Sequence, residues 1–254
     1  MEEQLFQACS NGNVEKVKEL LQSSEIDTNW QDPEHYYFTP LLIACQNGHF
    51  NIEIVKLLLN DQRVDVNKAD KDGWTPFYIA CCNGHIEIVK LLLNDQRVDI
   101  NQANRSGQTP FYIACHEGHI EIVKLLLNDK RVDINKATNE GWTPFYIACS
   151  RGHIEIVKLL SNDQRVDINQ PEGYSGETPF YSACDKGHIE IVKYLVNDSR
   201  IDINKEENEG WTPFNDACNY GYIEIVEYLL ASGRDLNLTN IAVETAINIA
   251  KESK

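Results

Sequence analysis

The dipeptide Thr-Pro falls at residues 39, 75, 109, 143, 178 and 212, in steps of 36, 34, 34, 35 and 34. A period this regular constrains the chain more than any other feature. A segment of that length cannot bury its own hydrophobic face and must stack on its neighbours. Both irregular steps have a local origin. The stretch GHFNIEIVK from Gly48 carries two more residues than GHIEIVK from Gly84, and NQPEGYSGETP from Asn169 is one longer than NKATNEGWTP from Asn135.

Local signals within one period are consistent with that reading. Thr143 suits a helix N-cap and Pro144 the first helical turn, where the missing N–H costs no interior hydrogen bond. PFYIACSR then predicts a short helix, stopped by Gly152 in the left-handed conformation that glycine tolerates best. IEIVKLLSN predicts a second helix whose polar strip is only Glu155, Lys158 and Ser161. So narrow a strip fits a helix packed between copies of itself. The return segment RVDINKATNEG carries the Asn and Gly of a projecting turn.

The pattern G-x-T-P-(apolar)-x-(apolar)-A, then G-H-(apolar)-E-I-V-K-(apolar)-L-L, then V-D-(I/V)-N runs from Gly73 to Asn101 and recurs with Thr-Pro intact through the later units. It resembles the ankyrin-repeat family over almost the whole chain. The resemblance implies an all-α solenoid: antiparallel helix pairs stacked side by side, with β-hairpin-like fingers projecting from them. Residues 1–254 are expected to form a single domain, with an N-terminal capping repeat (1–34), internal repeats (35–206), a last full repeat (207–240) and a closing helix (241–254). Polar terminal units are what a solenoid needs for solubility.

Three departures from the family pattern stand out. Tyrosine occupies positions 78, 112, 146 and 181, where the family usually has histidine, which puts the usual hydrogen-bond network there in doubt. Cysteine replaces the second alanine of Ala-Ala in every unit, and NDQRVDIN replaces the common Gly-Ala-Asp-Val-Asn before the fingers.

The recurring cysteine and histidine, as in Cys149 and His153, invite a catalytic or metal reading. A nucleophilic thiol needs a base within reach and a concave site, and a structural zinc needs four converging ligands. Stacked helices sit roughly 8 to 10 Å apart, too far for four such side chains to meet on one ion. Repetition argues further: the cysteine recurs in seven repeats and the histidine in five, whereas an active site is normally built once. The cysteine therefore reads as a small packing residue and the histidine as a cap or partner of the neighbouring loop. No cofactor, metal or enzymatic activity is expected.

The formal net charge of −16 argues against nucleic acid, whose phosphates need clustered Lys and Arg, and against an anionic membrane. A protein partner is expected, with a basic surface as the sharper expectation. Eight cysteines in a chain whose start, MEEQLFQACS, lacks signal-peptide character point to reduced thiols and a cytoplasmic setting.

Comparison among the repeats shows where such a partner would bind. What recurs serves the stack, and what differs is available to a partner. The variable letters lie in the fingers before Thr-Pro and in the two residues closing each first helix, the surface that the family resemblance assigns to protein binding. The candidate contact residues are Phe38, Trp74, Gln108, Trp142, Glu177 and Trp211 in the slot before Thr; Asp72, Arg105, Glu140 and Tyr174 at finger tips; and His116, Glu117, Arg151, Asp185 and Lys186 at helix ends. Each Trp either folds onto the neighbouring finger and stiffens the array or meets the partner. The C-terminal acids Glu172, Glu177, Glu206, Glu207 and Glu209 read as a solvated face or as a dock for a basic surface. The expected function is a monomeric, non-catalytic adaptor, scaffold or inhibitor. The alternatives are a self-assembling structural repeat protein and, further off, a metal-binding or enzymatic one.

Overall fold

A computed structural model describes residues 1–238 of the chain, apart from the side chains at 49 and 50. The closing helix expected over 241–254 lies outside the described residues. Fourteen α-helices occur among them: α1 (Glu2–Ser10), α2 (Val14–Leu21), α3 (Pro40–Asn47), α4 (Ile52–Asn60), α5 (Pro76–Cys82), α6 (Ile86–Asn94), α7 (Pro110–Glu117), α8 (Ile120–Leu127), α9 (Pro144–Ser150), α10 (Ile154–Ser161), α11 (Pro179–Asp185), α12 (Ile189–Val196), α13 (Pro213–Asn219) and α14 (Ile223–Ala231). They form seven helix pairs, one per sequence period. The two extra residues of the second period are taken up by a 3₁₀ turn, Gly48–Asn51, between α3 and α4.

Each first helix after α1 starts where the sequence predicts. The hydroxyl oxygens of Thr39, Thr75, Thr109, Thr143, Thr178 and Thr212 accept the N–H three residues on, at 3.0 to 3.2 Å, and proline fills the next position. The cap satisfies one of the four amides that a helix start leaves without an intrahelical partner.

The chain comprises two compact units, Met1–Asp133 and Ile134–Lys254. In the N-terminal unit α1, α3, α5 and α7 pack in succession, with α2, α4, α6 and α8 as a second layer. In the C-terminal unit α9, α11 and α13 form one layer and α10, α12 and α14 the other. The core lies between the layers and repeats itself: Phe77, Phe111, Phe145, Phe180 and Phe214 are all but fully buried, as are the Ala-Cys pairs beside them. Burying each phenylalanine contributes about 1.5–3 kcal/mol. Ser161, expected on the polar strip of α10, is instead buried, with its Oγ 3.1 Å from the Tyr194 hydroxyl.

The NDQR segment has a clear role. Asp95 pairs with Arg97 at 2.6 Å, and the Arg97 guanidinium also donates to the Leu59 carbonyl of the preceding repeat at 2.6 Å. Arg63, Arg131, Arg200 and Arg234 likewise reach Leu21, Leu93, Ser161 and Val196. These carbonyls end second helices and would otherwise lack donors. A cation there also opposes the helix dipole. Asparagine completes the ladder: Asn67 donates to the Arg97 carbonyl at 2.7 Å and accepts from the Asp99 amide at 2.8 Å.

Candidate protein-binding surface

Every finger is closed by a backbone hydrogen bond from its first residue to the residue before Thr: Asp70 to Trp74 (3.1 Å), Asn104 to Gln108 (3.0 Å), Thr138 to Trp142 (3.0 Å), Glu172 to Glu177 (2.9 Å) and Glu207 to Trp211 (3.0 Å). The side chain of that first residue accepts amides from inside the turn. Asp70 Oδ1 takes Asp72 and Trp74, Asn104 Oδ1 takes Ser106 and Gln108, Thr138 Oγ1 takes Trp142 and Glu207 takes Glu209 and Trp211. The identity changes from repeat to repeat while the job, a side-chain oxygen over the turn, does not. Sequence variation at this position is therefore not variation offered to a partner.

The one-residue insertion of the sixth finger shows the same rule stretched. Glu172 is only 4% exposed, and its carboxylate accepts the amides of Tyr174, Ser175 and Gly176 together with the Ser175 hydroxyl. These donors hold its carboxyl below the usual range against the cost of burial. Glu172 and Glu207, expected on a solvated acidic face, are struts of their fingers. Tyr174, beside this turn, is 90% exposed. Neighbouring fingers are joined by single backbone bonds: Arg105 to Asp72 at 3.1 Å in the N-terminal unit, Gly173 to Glu140 at 2.8 Å and Asn208 to Ser175 at 2.8 Å in the C-terminal unit. Gly141 (φ +88°) lies so close to Gly173 that a side chain would collide with its backbone.

Trp74, Trp142 and Trp211 are each a little over one-third exposed. Two of them lean on a tyrosine of their own repeat. Trp74 leans on Tyr78 of its own helix (5.6 Å between ring centroids), and Trp142 stacks on Tyr146 (6.5 Å, 12° between planes). Each of these tyrosines then reaches the next repeat. The Tyr78 hydroxyl donates to Gln108 Oε1 at 2.9 Å and receives Asn104 Nδ2 at 3.3 Å, and the Tyr146 hydroxyl donates to Glu177 Oε2 at 3.0 Å. A third, Tyr181, donates to Asp216 Oδ2 at 2.7 Å. The network put in doubt by the missing histidines is thus rebuilt with phenols. Gln108 and Glu177 sit half-buried within it.

Phe38 differs from the tryptophans in its slot. It is buried and its backbone pairs with Asp32 in an isolated antiparallel bridge, so its side chain offers little surface to a partner. That finger exposes Tyr36 and Tyr37 instead, both at positive φ, with Lys71 Nζ 4.6 Å from the Tyr36 ring. Asp72, Arg105, Glu140, Glu117, Arg151 and Lys186 are exposed, whereas the side chains of His116 and Asp185 are largely buried. His116 faces Glu117 at 2.7 Å and Lys186 pairs with Asp185 at 2.6 Å.

The cysteine–histidine pairs are built into the stack. His119 Nε2 donates to the Cys82 carbonyl of the preceding repeat at 2.9 Å and His188 Nε2 to the Ser150 carbonyl at 2.9 Å. The ring sits directly over the preceding repeat's glycine. A Cβ on Gly84 (φ +74°) would come within 2.7 Å of His119, which is why Gly-His recurs as a unit. All eight cysteines are thiols. Burial pushes Cys9 up to about 12 and Cys82 and Cys218 up to about 11, away from the thiolate that nucleophilic chemistry requires.

Comparison with known proteins settles the family. The family model described as "Ankyrin repeats (3 copies)" matches residues 5–104, 87–172 and 164–240. The chain belongs to the ankyrin-repeat family. Among curated relatives it is similar to the Notch-regulated ankyrin repeat-containing protein of Xenopus laevis (36% identity over 87 residues, 33% of this chain and 72% of that protein). It is also similar to ankyrin repeat domain-containing protein 7 of Homo sapiens (43% over 58 residues, 23% of this chain and 21% of that protein). A serine/threonine-protein kinase of Mus musculus matches at 34% over 82 residues, 32% of this chain but only 10% of the kinase. The chain thus spans about a tenth of that relative's length.

Within this ankyrin frame, one group escaped sequence reasoning. Asp216 was not singled out, yet it holds the Tyr181 hydroxyl and is half-buried. The signal was present: the fourth residue from Thr-Pro's Thr is Ile43, Ile79, Ile113 and Ile147, then Ser182, then Asp216.

Proposed function

We propose that this ankyrin-repeat chain is a non-catalytic protein-interaction module, an adaptor, scaffold or inhibitor that grips a protein partner through its fingers and the concave face implied by the family. The observation that carries the reading is the constancy of the frame beneath changing tips. The fingers share one closing bond and one oxygen acceptor, while Trp74, Trp142 and Trp211 each leave over a third of their surface to solvent. Rigid aromatic groups bury large areas at small entropic cost and dominate interface energetics. Asp72, Arg105, Glu140 and Tyr174 at the tips, and His116, Glu117, Arg151, Asp185 and Lys186 at helix ends, complete the proposed surface, with Gln108 and Glu177 beneath it.

Residues 1–254 are proposed to act as one domain and as a monomer in the cytoplasm, where eight thiols would stay reduced. No helix among the described residues is long and apolar enough to cross a membrane. Ankyrin repeats are generally non-enzymatic, which agrees with buried, protonated thiols.

The test is capture from native lysate with the wild-type chain and with a Trp74→Ala, Trp142→Ala, Trp211→Ala variant shown by circular dichroism to be folded. One protein retained by the former and lost by the latter supports the reading. Identical capture by both baits would remove the tryptophans from the interface.

A further inference from the structure

A ring over a glycine joins one repeat to the next. Between the second and third repeats the His85 ring lies over Gly48, and its Nε2 donates to the Gln46 carbonyl at 3.0 Å. Between the third and fourth, His119 lies over Gly84 and donates to the Cys82 carbonyl at 2.9 Å. In the C-terminal unit His188 does the same over Gly152, and the Tyr222 ring covers Gly187. Each of these residues stands immediately before the isoleucine that opens a second helix. At the junction of the first two repeats that register holds Asn51, before Ile52.

Asparagine is shorter than histidine, and its amide turns elsewhere. Asn51 Nδ2 donates to the Cys9 carbonyl at 2.7 Å, and Asn47 Nδ2 takes the Ser10 carbonyl, the counterpart of those of Gln46 and Cys82, at 2.8 Å. Beside them is a surface cavity of about 470 Å³ lined by Ser10, Asn11, Gly12, Asn47 and Asn51. In register these are the positions of Gln46, Asn47, Gly48, Asn83 and His85 at the next junction. The cavity is therefore the histidine slot, left open by the described side chains.

The slot also holds an unmet acceptor. Asn51 is 1% exposed, the one fully buried residue of the lining, and its Oδ1 has no hydrogen bond among the described residues. A buried acceptor without a donor bears the full desolvation cost of the group, and native proteins leave few of them. The described lining carries no charged side chain, which disfavours an ion, since a charge leaving water needs a counter-charge. A neutral planar ring with one N–H supplies what is missing, and the same slot receives such a ring from His85 and His119. Resting on the interaction-module reading for its source, we infer that the cavity over Gly12 is a socket for a neutral imidazole, offered as a histidine side chain by the protein partner, whose N–H donates to Asn51 Oδ1.

The experiment titrates the ¹⁵N-labelled full chain with a blocked peptide, acetyl-Gly-His-Gly-amide. The pH is set well above the ordinary histidine value of about 6.5, so that the ring is neutral. The Gly12 amide and the Asn51 side-chain amide should shift saturably, while the Gly48 amide, whose slot His85 fills, stays in place. The same peptide with phenylalanine, a ring without an N–H, should bind at least tenfold more weakly. Asn51→His fills the socket with the residue that stands before α6 and α8, and should abolish the response at Gly12. If that variant fails to fold, Asn51→Ala, which lacks the acceptor, should lose tenfold or more in affinity. His85→Asn opens the corresponding slot and should make Gly48 respond to the peptide.

Three results would overturn the inference. They are a Gly12 amide unmoved at millimolar peptide, as when water alone completes Asn51; equal shifts at Gly12 and Gly48 in the wild type; and a response that survives Asn51→His. Lysate capture separates the socket from the broader reading. A partner held equally by wild type and by Asn51→His sinks the socket and leaves the interaction module standing. The peptide response as described, with no protein captured, upholds the imidazole site against the broader reading.

Discussion

In the N-terminal unit the Tyr78 hydroxyl donates to an amide, Gln108; in the C-terminal unit the Tyr146 hydroxyl donates to a carboxylate, Glu177. The two arrangements otherwise agree down to the tryptophan leaning on each tyrosine. In the first, Asn104 Nδ2 donates to both the phenol and Gln108, so the network is closed within itself. In the second, a half-buried carboxylate accepts the phenol with Asp185 and Glu172 as negative neighbours, and burial holds it above its ordinary value. The lesson is that a repeat protein can hold its core constant and change the electrostatics of one position by a single atom, N for O, between an amide that closes a neutral network and a half-buried carboxylate.

If that is correct, the cores should respond alike. Phe77→Ala in the N-terminal unit and Phe180→Ala in the C-terminal unit each empty a fully buried site and should cost about 3–5 kcal/mol, read by urea denaturation. A markedly smaller cost at Phe180 would show that Ser182 and Asp216 loosen the C-terminal core, breaking the comparison at its base. The tyrosines should then respond differently. Tyr78→Phe leaves Gln108 bonded to Asn104 and should cost about 1 kcal/mol, whereas Tyr146→Phe strips a donor from a half-buried carboxylate and should cost roughly 1–3 kcal/mol. Equal costs at neutral pH would mean that Glu177 is no worse satisfied than Gln108.

The sequence displayed the frame well, because a 34-residue period is written in residues with one physical job each: Thr-Pro at helix starts and glycine under histidine. It displayed the site less well. Trp142, Glu177, Asp185 and Lys186 were legible as variable letters in a constant unit, but comparison among repeats cannot separate a change of residue from a change of role. Asp70, Asn104, Thr138, Glu172 and Glu207 differ in letter and act alike. Asp216 was hidden for the opposite reason. It lies in a segment read as core, and only the geometry brings it to the Tyr181 hydroxyl 35 residues away. The direction of the tryptophans was equally out of reach, since an i, i+4 contact with the tyrosine of the same helix and a contact with the next finger are both compatible with the spacing.

The arginine clamp is common to both units and should sharpen the comparison by failing to distinguish them. Arg97→Ala and Arg200→Ala each remove a donor from a helix-end carbonyl and the partner of an aspartate. Each should cost about 1 kcal/mol, with lysine restoring only part because it lacks the planar fork. A cost confined to one unit would assign the clamp a local role there.

The smallest expected effect is also the most direct reading of the one-atom difference. Glu177 and Asp216 are held above the ordinary carboxyl range by burial. Between that ordinary value, about 4, and the raised folded values, the folded chain binds more protons than the unfolded one. Stability contributed by these groups therefore rises as pH falls across the window and is lost as pH rises through it. The arginine-paired aspartates, such as Asp95 and Asp198, have the opposite sign: their guanidinium partners lower them, so their contribution stands above about pH 4 and disappears as pH falls through their folded values. Wild type should thus gain slightly as pH falls from 7 toward about 4 and lose steeply below it. Buried Asp70 in the N-terminal unit adds a gain of the first kind, so the informative quantity is the difference from Glu177→Gln. That variant should be more stable than wild type at pH 7, by about 1 kcal/mol or less. The advantage should shrink as pH falls through the raised folded value and vanish below about pH 4, while the acid limb from the arginine-paired aspartates stays unchanged, read by melting temperature across the series. An advantage independent of pH would mean that the amide improves packing or hydrogen bonding rather than relieving charge, and the contrast between Gln108 and Glu177 would then be one of shape.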